Sequence, residues 1–226
     1  MAAAPLSSMA RLRYAELMRT DSTYSLLGER SFAVVDVETT GLNPMNERVI
    51  EIGVLQLNGA LEVEREWSTL VNPEQHVKAS RVHGLFDADV AGAPTFSQLI
   101  PELVDLLNGR IFVAHNAQFD QGFLNREFAR ARKYHTIYGI NTVCTMDQSR
   151  IYCPPGSHSL IGLAQHLGIA ESQDHRGLSD ARIAADLLRY YVNCEQRGER
   201  FTDQASNREG RRVLPAQWLT AEPWRP

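Results

Sequence analysis

Lysine and cysteine are both scarce in this sequence, and long apolar runs are absent. Its 226 residues include two lysines and three cysteines. The cysteines, Cys144, Cys153 and Cys194, are odd in number and form no CxxC pair, so they predict neither a disulfide framework nor a zinc site. We therefore expect a reducing, cytoplasmic location. No run of about 18 apolar residues occurs, and the N-terminus lacks the apolar core of a signal peptide, so we expect no membrane association.

Positive charge is also in short supply. Lysine and arginine total 23 against 27 acidic residues, which gives a net charge of −4. This balance excludes a protein that binds nucleic acid by bulk charge alone, but it does not exclude an enzyme whose metal ions supply positive charge locally. The length predicts one domain with extensions. We divide it into an N-terminal extension (1–30), a central domain (31–197) and a polar, arginine-rich C-terminal tail (198–226).

The hydrophobic pattern of the central domain mixes strands and helices. Asn58-Gly59 is typical of a tight hairpin turn between two strands. The predicted strands are Phe32–Val37, Val49–Leu57, Leu61–Val71, Arg110–Ala114 and Thr142–Thr145. The predicted helices are 95–108, 117–132, 146–152, 159–167 and 179–196, with a short amphipathic one near 9–18. This order predicts an α/β fold, with a mixed sheet of three antiparallel strands and two more, flanked by helices.

Two acids interrupt the first strand in the stretch FAVVDVETTGL, Phe32 to Leu42. Side chains alternate along a strand, so Asp36 and Glu38 share one face. Two carboxylates that lie close together and lose hydration are costly unless a cation sits between them or one keeps its proton. An oxygen-preferring divalent cation, Mg²⁺ or Mn²⁺, would relieve that cost. The alternative is a strand that ends in a solvated acidic turn.

Two further acids, Asp120 and Asp180, lie on the apolar stripes of predicted helices. Either acid alone is more often a helix cap or a partner of an arginine. Four acids that could meet at one sheet edge would suit two divalent cations about 4 Å apart, an arrangement that stabilises both oxygens of a phosphodiester cleavage. His175 precedes Asp180 by five residues, and an imidazole placed there suits a general base.

These motifs together resemble the DnaQ-like (RNase-T-like) exonucleases of the DEDDh type, a family that includes proofreading enzymes. VVDVETTGL supplies Asp36 and Glu38, HNAQFD supplies Asp120, and HRGLSDA supplies His175 and Asp180. RVIEIG, VNPEQ, RVHGL and PPGSHSLIGLAQHLGI match the linking segments, so the similarity spans about 32 to 191. The sequence departs at Gly177, where many relatives have alanine, and at Asn141, where many have aspartate.

The resemblance implies a ribonuclease-H-like fold and 3′–5′ removal of nucleotides as 5′-monophosphates. The four acids would hold two Mg²⁺ or Mn²⁺ ions, and His175 would be the general base. Leu42 would wedge against the base of the terminal nucleotide. The residues that would line or support the substrate pocket are Thr39, Thr40, Gly41, Leu42, His115, Asn116 and Phe119.

The substrate and the partners stay open at this point. The leading hypothesis is a single-stranded DNA exonuclease, with an exoribonuclease of the same superfamily as its close rival. There are two alternatives. One is a polymerase-associated module without activity, and the other is an α/β domain whose acids make only structural contacts. A DNA polymerase subunit could dock on the tail, which we expect to be either poorly ordered or docked through Trp218 and Trp224. Gln98-Leu99-Ile100 resembles a sliding-clamp peptide, but helical core spacing explains it better. Self-association is left open.

Overall fold

The computed structural model describes residues 27–78 and 80–226. The predicted helix near 9–18 lies outside the described residues. Five strands form one mixed sheet in the order β3-β2-β1-β4-β5. Strand β2 runs antiparallel to both of its neighbours, β1 and β3, whereas β4 and β5 run parallel to β1. The strands are β1 (Phe32–Thr39), β2 (Val49–Leu57), β3 (Val63–Leu70), β4 (Ile111–Ala114) and β5 (Thr142–Cys144).

Helices cover both faces of this sheet, which confirms the predicted α/β class. The four main helices are α3 (Phe96–Leu107), α4 (Ala117–Arg130), α6 (Leu160–Leu167) and α7 (Gly177–Gln196). The other helices are α1 (Ser80–His83), α2 (Asp87–Val90), α5 (Thr145–Tyr152) and α8 (Gln217–Thr220), and a small hairpin joins β6 (Ala205–Ser206) to β7 (Arg212–Val213). No helix of the described part is long and apolar enough to cross a bilayer.

Alternation along β1 divides the core in two and decides where its acids point. Phe32 and Val34 pack with α5, α6 and α7 on one face of the sheet. Ala33, Val35 and Val37 pack with α3 and α4 on the other face. Since side chains i and i+2 share a face, Asp36 and Glu38 continue the α7 face. The apolar packing of β1 therefore determines the face of the sheet on which the two acids lie.

The connection between β2 and β3 differs from the predicted tight turn. Five residues, 58–62, separate the strands, because the Asn58 carboxamide accepts bonds from the amides of Ala60 and Glu62, each at 2.9 Å. Leu61 adopts a positive φ of 58° and is buried in the core instead of opening the third strand.

The C-terminal tail is docked on the domain, which decides between the two expectations for it. Trp218 and Trp224 are each 1% exposed, and they fill the two opposite cores. The Trp224 indole donates to the carbonyl of Thr136 at 2.9 Å and stacks on Phe128. The backbone of Trp224 also pairs with Gly109 and Arg110. The tail thus closes the end of the sheet away from the acids. Leu99 and Ile100 are buried in the core, as helical spacing predicts.

Candidate active site

The site begins where β1 extends past its shorter neighbour β4. Parallel pairing covers only Phe32–Val34 with Ile111–Val113, so the last residues of β1 are unpaired on that side. The amide of Val37 instead donates to Oδ1 of Asp120 at 3.1 Å. Asp120 lies in the first turn of α4 and is 2% exposed. The second motif is thereby fixed to the strand that carries Asp36 and Glu38.

The third motif reaches the same place from α7. Asp180 lies in the first turn of this helix and is 2% exposed. His175 precedes the helix in the left-handed region, with a φ of 52°. Ligand atoms of Glu38, His175 and Asp180 all lie within 4.8 Å of one another. The structure therefore brings together residues from the first and third motifs that are more than a hundred positions apart.

Burial, with repulsion between neighbouring acids, disfavours the charged forms of the carboxyl groups at this site. Burial, with the charges of Asp120, Asp180 and Glu38, raises the pKa of Asp36 well above its ordinary value. Burial and the neighbouring acids raise the pKa of Glu38 to about 8. Burial raises the pKa of Asp120 to about 8, and it also raises the pKa of Asp180. Such a set cannot be fully ionised near neutrality without a compensating positive charge.

The donor set fits a divalent cation. Oδ2 of Asp180 accepts a hydrogen bond from Gln173, but Oδ1 is buried and has no partner among the described residues. A buried carboxylate oxygen left without a donor is costly, and a metal ion would satisfy it. Carboxylate oxygens suit Mg²⁺ or Mn²⁺ better than softer metals. The observations are thus in keeping with a divalent-cation site, and they do not identify the ion.

In the turn after β1, some residues are bound within the protein and one is exposed to solvent. Thr40 is 1% exposed; its amide donates to Arg48 and its hydroxyl to Glu47 at 2.6 Å. Both donors of Thr40 are therefore used within the protein. A Cβ on Gly41 would lie 2.9 Å from Cγ of Glu47, so glycine suits this tight place. Leu42, by contrast, is 86% exposed at the mouth of the turn.

His115 is bound within the protein on both ring nitrogens. Nε2 lies 3.1 Å from the carbonyl of His158, and Nδ1 lies 2.9 Å from the Thr145 hydroxyl. A carbonyl only accepts, so Nε2 carries the proton and Nδ1 accepts from Thr145. Burial lowers the pKa of His115 to about 4, which keeps the ring neutral. Asn116, at a φ of 61°, makes the turn into α4, and Phe119 packs on Phe123.

Sequence reasoning missed one acid that lies beside the site. Glu51 pairs with Glu38 across β1 and β2, and it is 4% exposed. Its carboxylate bonds the guanidinium of Arg176 and the amide of Gly177. The signal was present in the sequence, because an acid interrupts the apolar run VIEIGV. Nothing in the sequence pointed to Gln173, which bonds Asp180.

Comparisons with known proteins agree with this architecture. A family model described as an exonuclease, RNase_T, matches residues 33–188. A DNA polymerase III PolC-type protein of Thermotoga maritima is 30% identical over 182 residues, which are 78% of this chain and 13% of that protein. A DNA polymerase III subunit epsilon of Treponema pallidum is 30% identical over 162 residues, which are 70% of this chain and 74% of that protein.

A solved structure shares the fold at lower identity. It is described as "3'-end specific recognition of histone mRNA stem-loop by 3'-exonuclease" and superposes with a TM-score of 0.64 at 21% identity. The match covers 88% of this chain and 96% of that chain. The mixed sheet and its helices thus define an α/β protein of the ribonuclease-H-like class. The extent of the RNase_T match shows, further, that this chain belongs to the DnaQ-like, RNase-T-like exonuclease family.

Proposed function

We propose that this protein is a metal-dependent 3′–5′ exonuclease that acts on single-stranded DNA and releases 5′-mononucleotides. The observation that carries the proposal is the meeting of Glu38, His175 and Asp180 within 4.8 Å, next to Asp36 and Asp120. A structural α/β domain has no use for so many acids whose pKa values burial raises, and neither has a binding module. The family of the chain adds independent support.

In this proposal the four acids, Asp36, Glu38, Asp120 and Asp180, hold two Mg²⁺ or Mn²⁺ ions. When bound, the ions would supply positive charge to the attacking and leaving oxygens of the phosphodiester. The bond from Val37 keeps Asp120 in place before any ion binds. Asp120 and Asp180 also lie in the first turns of helices, where the helix dipole favours negative charge.

His175 is the general base of the proposed reaction. It accepts a proton from the water whose oxygen attacks the terminal phosphorus, and the bond from phosphorus to the 3′ oxygen of the preceding nucleotide breaks. That oxygen takes up a proton, and the terminal nucleotide leaves with its phosphate on the 5′ side. The imidazole must be neutral to accept this proton.

The remaining site residues bind or support the terminal nucleotide. Leu42 is exposed enough to contact the terminal base, and Thr39 and Gly41 form the turn beside it. Thr40, His115 and Asn116 act through the turns that they stabilise, and Phe119 stands next to Asp120. Such a pocket needs few basic side chains, because contacts to the base and the bound metal ions provide much of the affinity for the strand. A net charge of −4 is therefore compatible with the proposal.

DNA is the proposed substrate because the relatives at 30% identity are named as DNA polymerase III proteins. A role in proofreading, in association with a polymerase, follows from the same relatives. Exoribonuclease activity is the second candidate, because the structural neighbour described above is named for an mRNA 3′ end. The catalytic residues would be the same for both substrates.

Strand shortening tests the proposal. Single-stranded DNA and RNA of one sequence, labelled at the 5′ end, would be incubated with the protein in Mn²⁺ or in EDTA. We expect a ladder of products that shortens from the 3′ end on DNA, in Mn²⁺ only. The Asp36→Ala variant should produce no ladder. A ladder confined to RNA would support the second candidate. No ladder on either strand, with the protein folded by circular dichroism, would refute both.

A further inference from the structure

Glu51 is a buried acid whose presence the proposed metal site does not explain. It lies in β2 among fully buried apolar residues and is itself 4% exposed. Both of its oxygens are already occupied: Oε1 accepts from Nη2 of Arg176 at 2.8 Å, and Oε2 accepts from Nε of Arg176 at 3.0 Å. Oε2 also accepts from the amide of Gly177 at 3.2 Å. A carboxylate engaged in this way is not free to hold a cation.

The two residues that Glu51 binds are the two that follow His175. His175 itself has a φ of 52°, in the left-handed region that is uncommon for residues other than glycine. A backbone in that region persists only where neighbouring contacts hold it. The bonds to Arg176 and Gly177 are such contacts, and they join the turn of His175 to the middle of the sheet. On the other side of the turn, Gln173 bonds Asp180.

We propose that Glu51 is a positioning residue, whose carboxylate, through Arg176 and Gly177, holds the turn that places His175 against Glu38 and Asp180. The proposal rests on the proposed function, because it assigns to His175 the role of the general base. Bidentate arginine–carboxylate pairs fix orientation as well as position. Loss of this pair therefore displaces the imidazole, although Glu51 touches neither substrate nor metal.

The charge of Glu51 is unfavourable for the neighbouring acids, and an apolar residue at this position would avoid that repulsion. It pairs across the strands with Glu38, and its charge contributes to the raised pKa values of Asp36 and Glu38. The guanidinium of Arg176 opposes this effect and lowers the pKa of Glu38. The pair therefore also delivers a positive charge to the edge of the acidic group, which an apolar residue at position 51 would not do.

The same helix supplies a matched control. Arg182 of α7 bonds Glu66 of β3, with Nε at 3.0 Å from Oε1. This pair also joins α7 to the sheet and also uses two guanidinium nitrogens. Glu66, however, lies on the edge strand and is exposed, and its partner Arg182 lies within α7, two residues beyond Asp180 and outside the turn of His175. Glu66→Ala thus removes a similar link between helix and sheet without touching the turn of His175.

Steady-state kinetics on labelled single-stranded DNA would compare Glu51→Ala, Glu51→Gln and Glu66→Ala with the wild type. For Glu51→Ala we expect kcat to fall about 10- to 100-fold, the loss associated with a misplacement of about 1 Å, while KM stays within about threefold. Glu51→Gln should recover part of that loss, because its amide oxygen still accepts from Gly177. Glu66→Ala should stay within about twofold. Equal losses for the two alanine variants, or an unchanged kcat for Glu51→Ala, would overturn the proposal.

Hydrogen exchange supplies a readout that does not depend on activity. Amides in the segment 174–178 should exchange at least about tenfold faster in Glu51→Ala than in the wild type or Glu66→Ala, because a native anchor is lost. Mn²⁺ affinity should be the same in all three. If the wild type proves to have no nuclease activity, the proposed function fails while exchange still decides whether Glu51 holds the turn. Unchanged exchange in Glu51→Ala would contradict the anchoring, whatever the kinetics.

Discussion

Gly53 of β2 lies directly against the backbone at the start of α7, and its replacement by alanine should disable the enzyme. A Cβ at Gly53 would lie 2.2 Å from the carbonyl carbon of Gly177 and 2.2 Å from the amide nitrogen of Leu178. Both neighbours are backbone atoms at the start of α7, so they cannot move aside as a flexible side chain would. Asp180 and His175 lie on either side of this contact.

The size of the effect follows from these distances. Ordinary van der Waals contact begins near 3.4 Å, so the start of α7 must move away from β2 by roughly 1 Å. Overpacking of this kind costs about 1–3 kcal/mol of stability. A displacement of about 1 Å at a catalytic group costs about 10²-fold in rate. We therefore expect Gly53→Ala to fold with a lowered melting temperature and to lose about two orders of magnitude in kcat/KM on labelled single-stranded DNA.

Gly122→Ala is the control for this variant. Gly122 lies within α4, two residues from Asp120, and a Cβ there would meet only Cγ of Pro44, at 3.9 Å. Alanine in a helix interior is favoured over glycine by about 0.5–1 kcal/mol, so this variant should be slightly more stable and fully active. The reasoning would be refuted if Gly53→Ala kept its activity within about twofold of the wild type while remaining folded.

Three further predictions follow from the same structure. Gly177→Ala should lose less activity than Gly53→Ala, about tenfold at most, because its Cβ would lie 2.8 Å from the Gly53 amide nitrogen instead of 2.2 Å from two backbone atoms; equal losses in the same assay would contradict this order. The raised pKa of Glu38, about 8, means that the folded state binds this proton more tightly than the unfolded state. Without cations the free energy of unfolding should therefore fall between about pH 4.5 and pH 8. Thermal unfolding in EDTA should show this decline, Glu38→Gln should reduce it, and a decline of equal size in Glu38→Gln would count against the assignment. Trp224→Ala removes a buried indole and should cost about 3–5 kcal/mol in urea unfolding, whereas Phe201→Ala, at an exposed position, should stay within about 0.5 kcal/mol; similar values for the two variants would show that the tail does not stabilise the domain.

Periodicity allowed most of the fold to be predicted from the sequence. Alternation placed Asp36 and Glu38 on one face of β1, and helical spacing placed Asp120 and Asp180 on buried stripes of α4 and α7. These patterns report which face of an element is buried, so they also report an acid on that face. The motifs, by their order and their spacing along the chain, added the resemblance to a known family, which hydrophobic periodicity alone does not reveal.

The features that were missed depend on contacts between distant segments. The turn at Asn58 lengthened because its side chain caps two amides and because Leu61 is buried in the core, and neither fact is visible in the dipeptide Asn-Gly. Glu51 was visible as an acid in an apolar strand. Its partners, Arg176 and Gly177, are more than a hundred residues away, and only the fold brings them together. For the same reason, the sequence did not decide whether the tail is poorly ordered or docked through Trp218 and Trp224, because the residues that these indoles contact are distant in the sequence.

Cation binding tests our central assignment most directly, because we assign the four acids to one metal centre beside the general base, His175. Mn²⁺ would be titrated calorimetrically into the wild type and into Asp36→Ala, in the presence of a deoxynucleoside 5′-monophosphate as the proposed product. We expect about two ions per wild-type chain, and weaker binding of fewer ions in Asp36→Ala. A wild type that binds no Mn²⁺, or an Asp36→Ala variant that binds as the wild type does, would contradict the assignment.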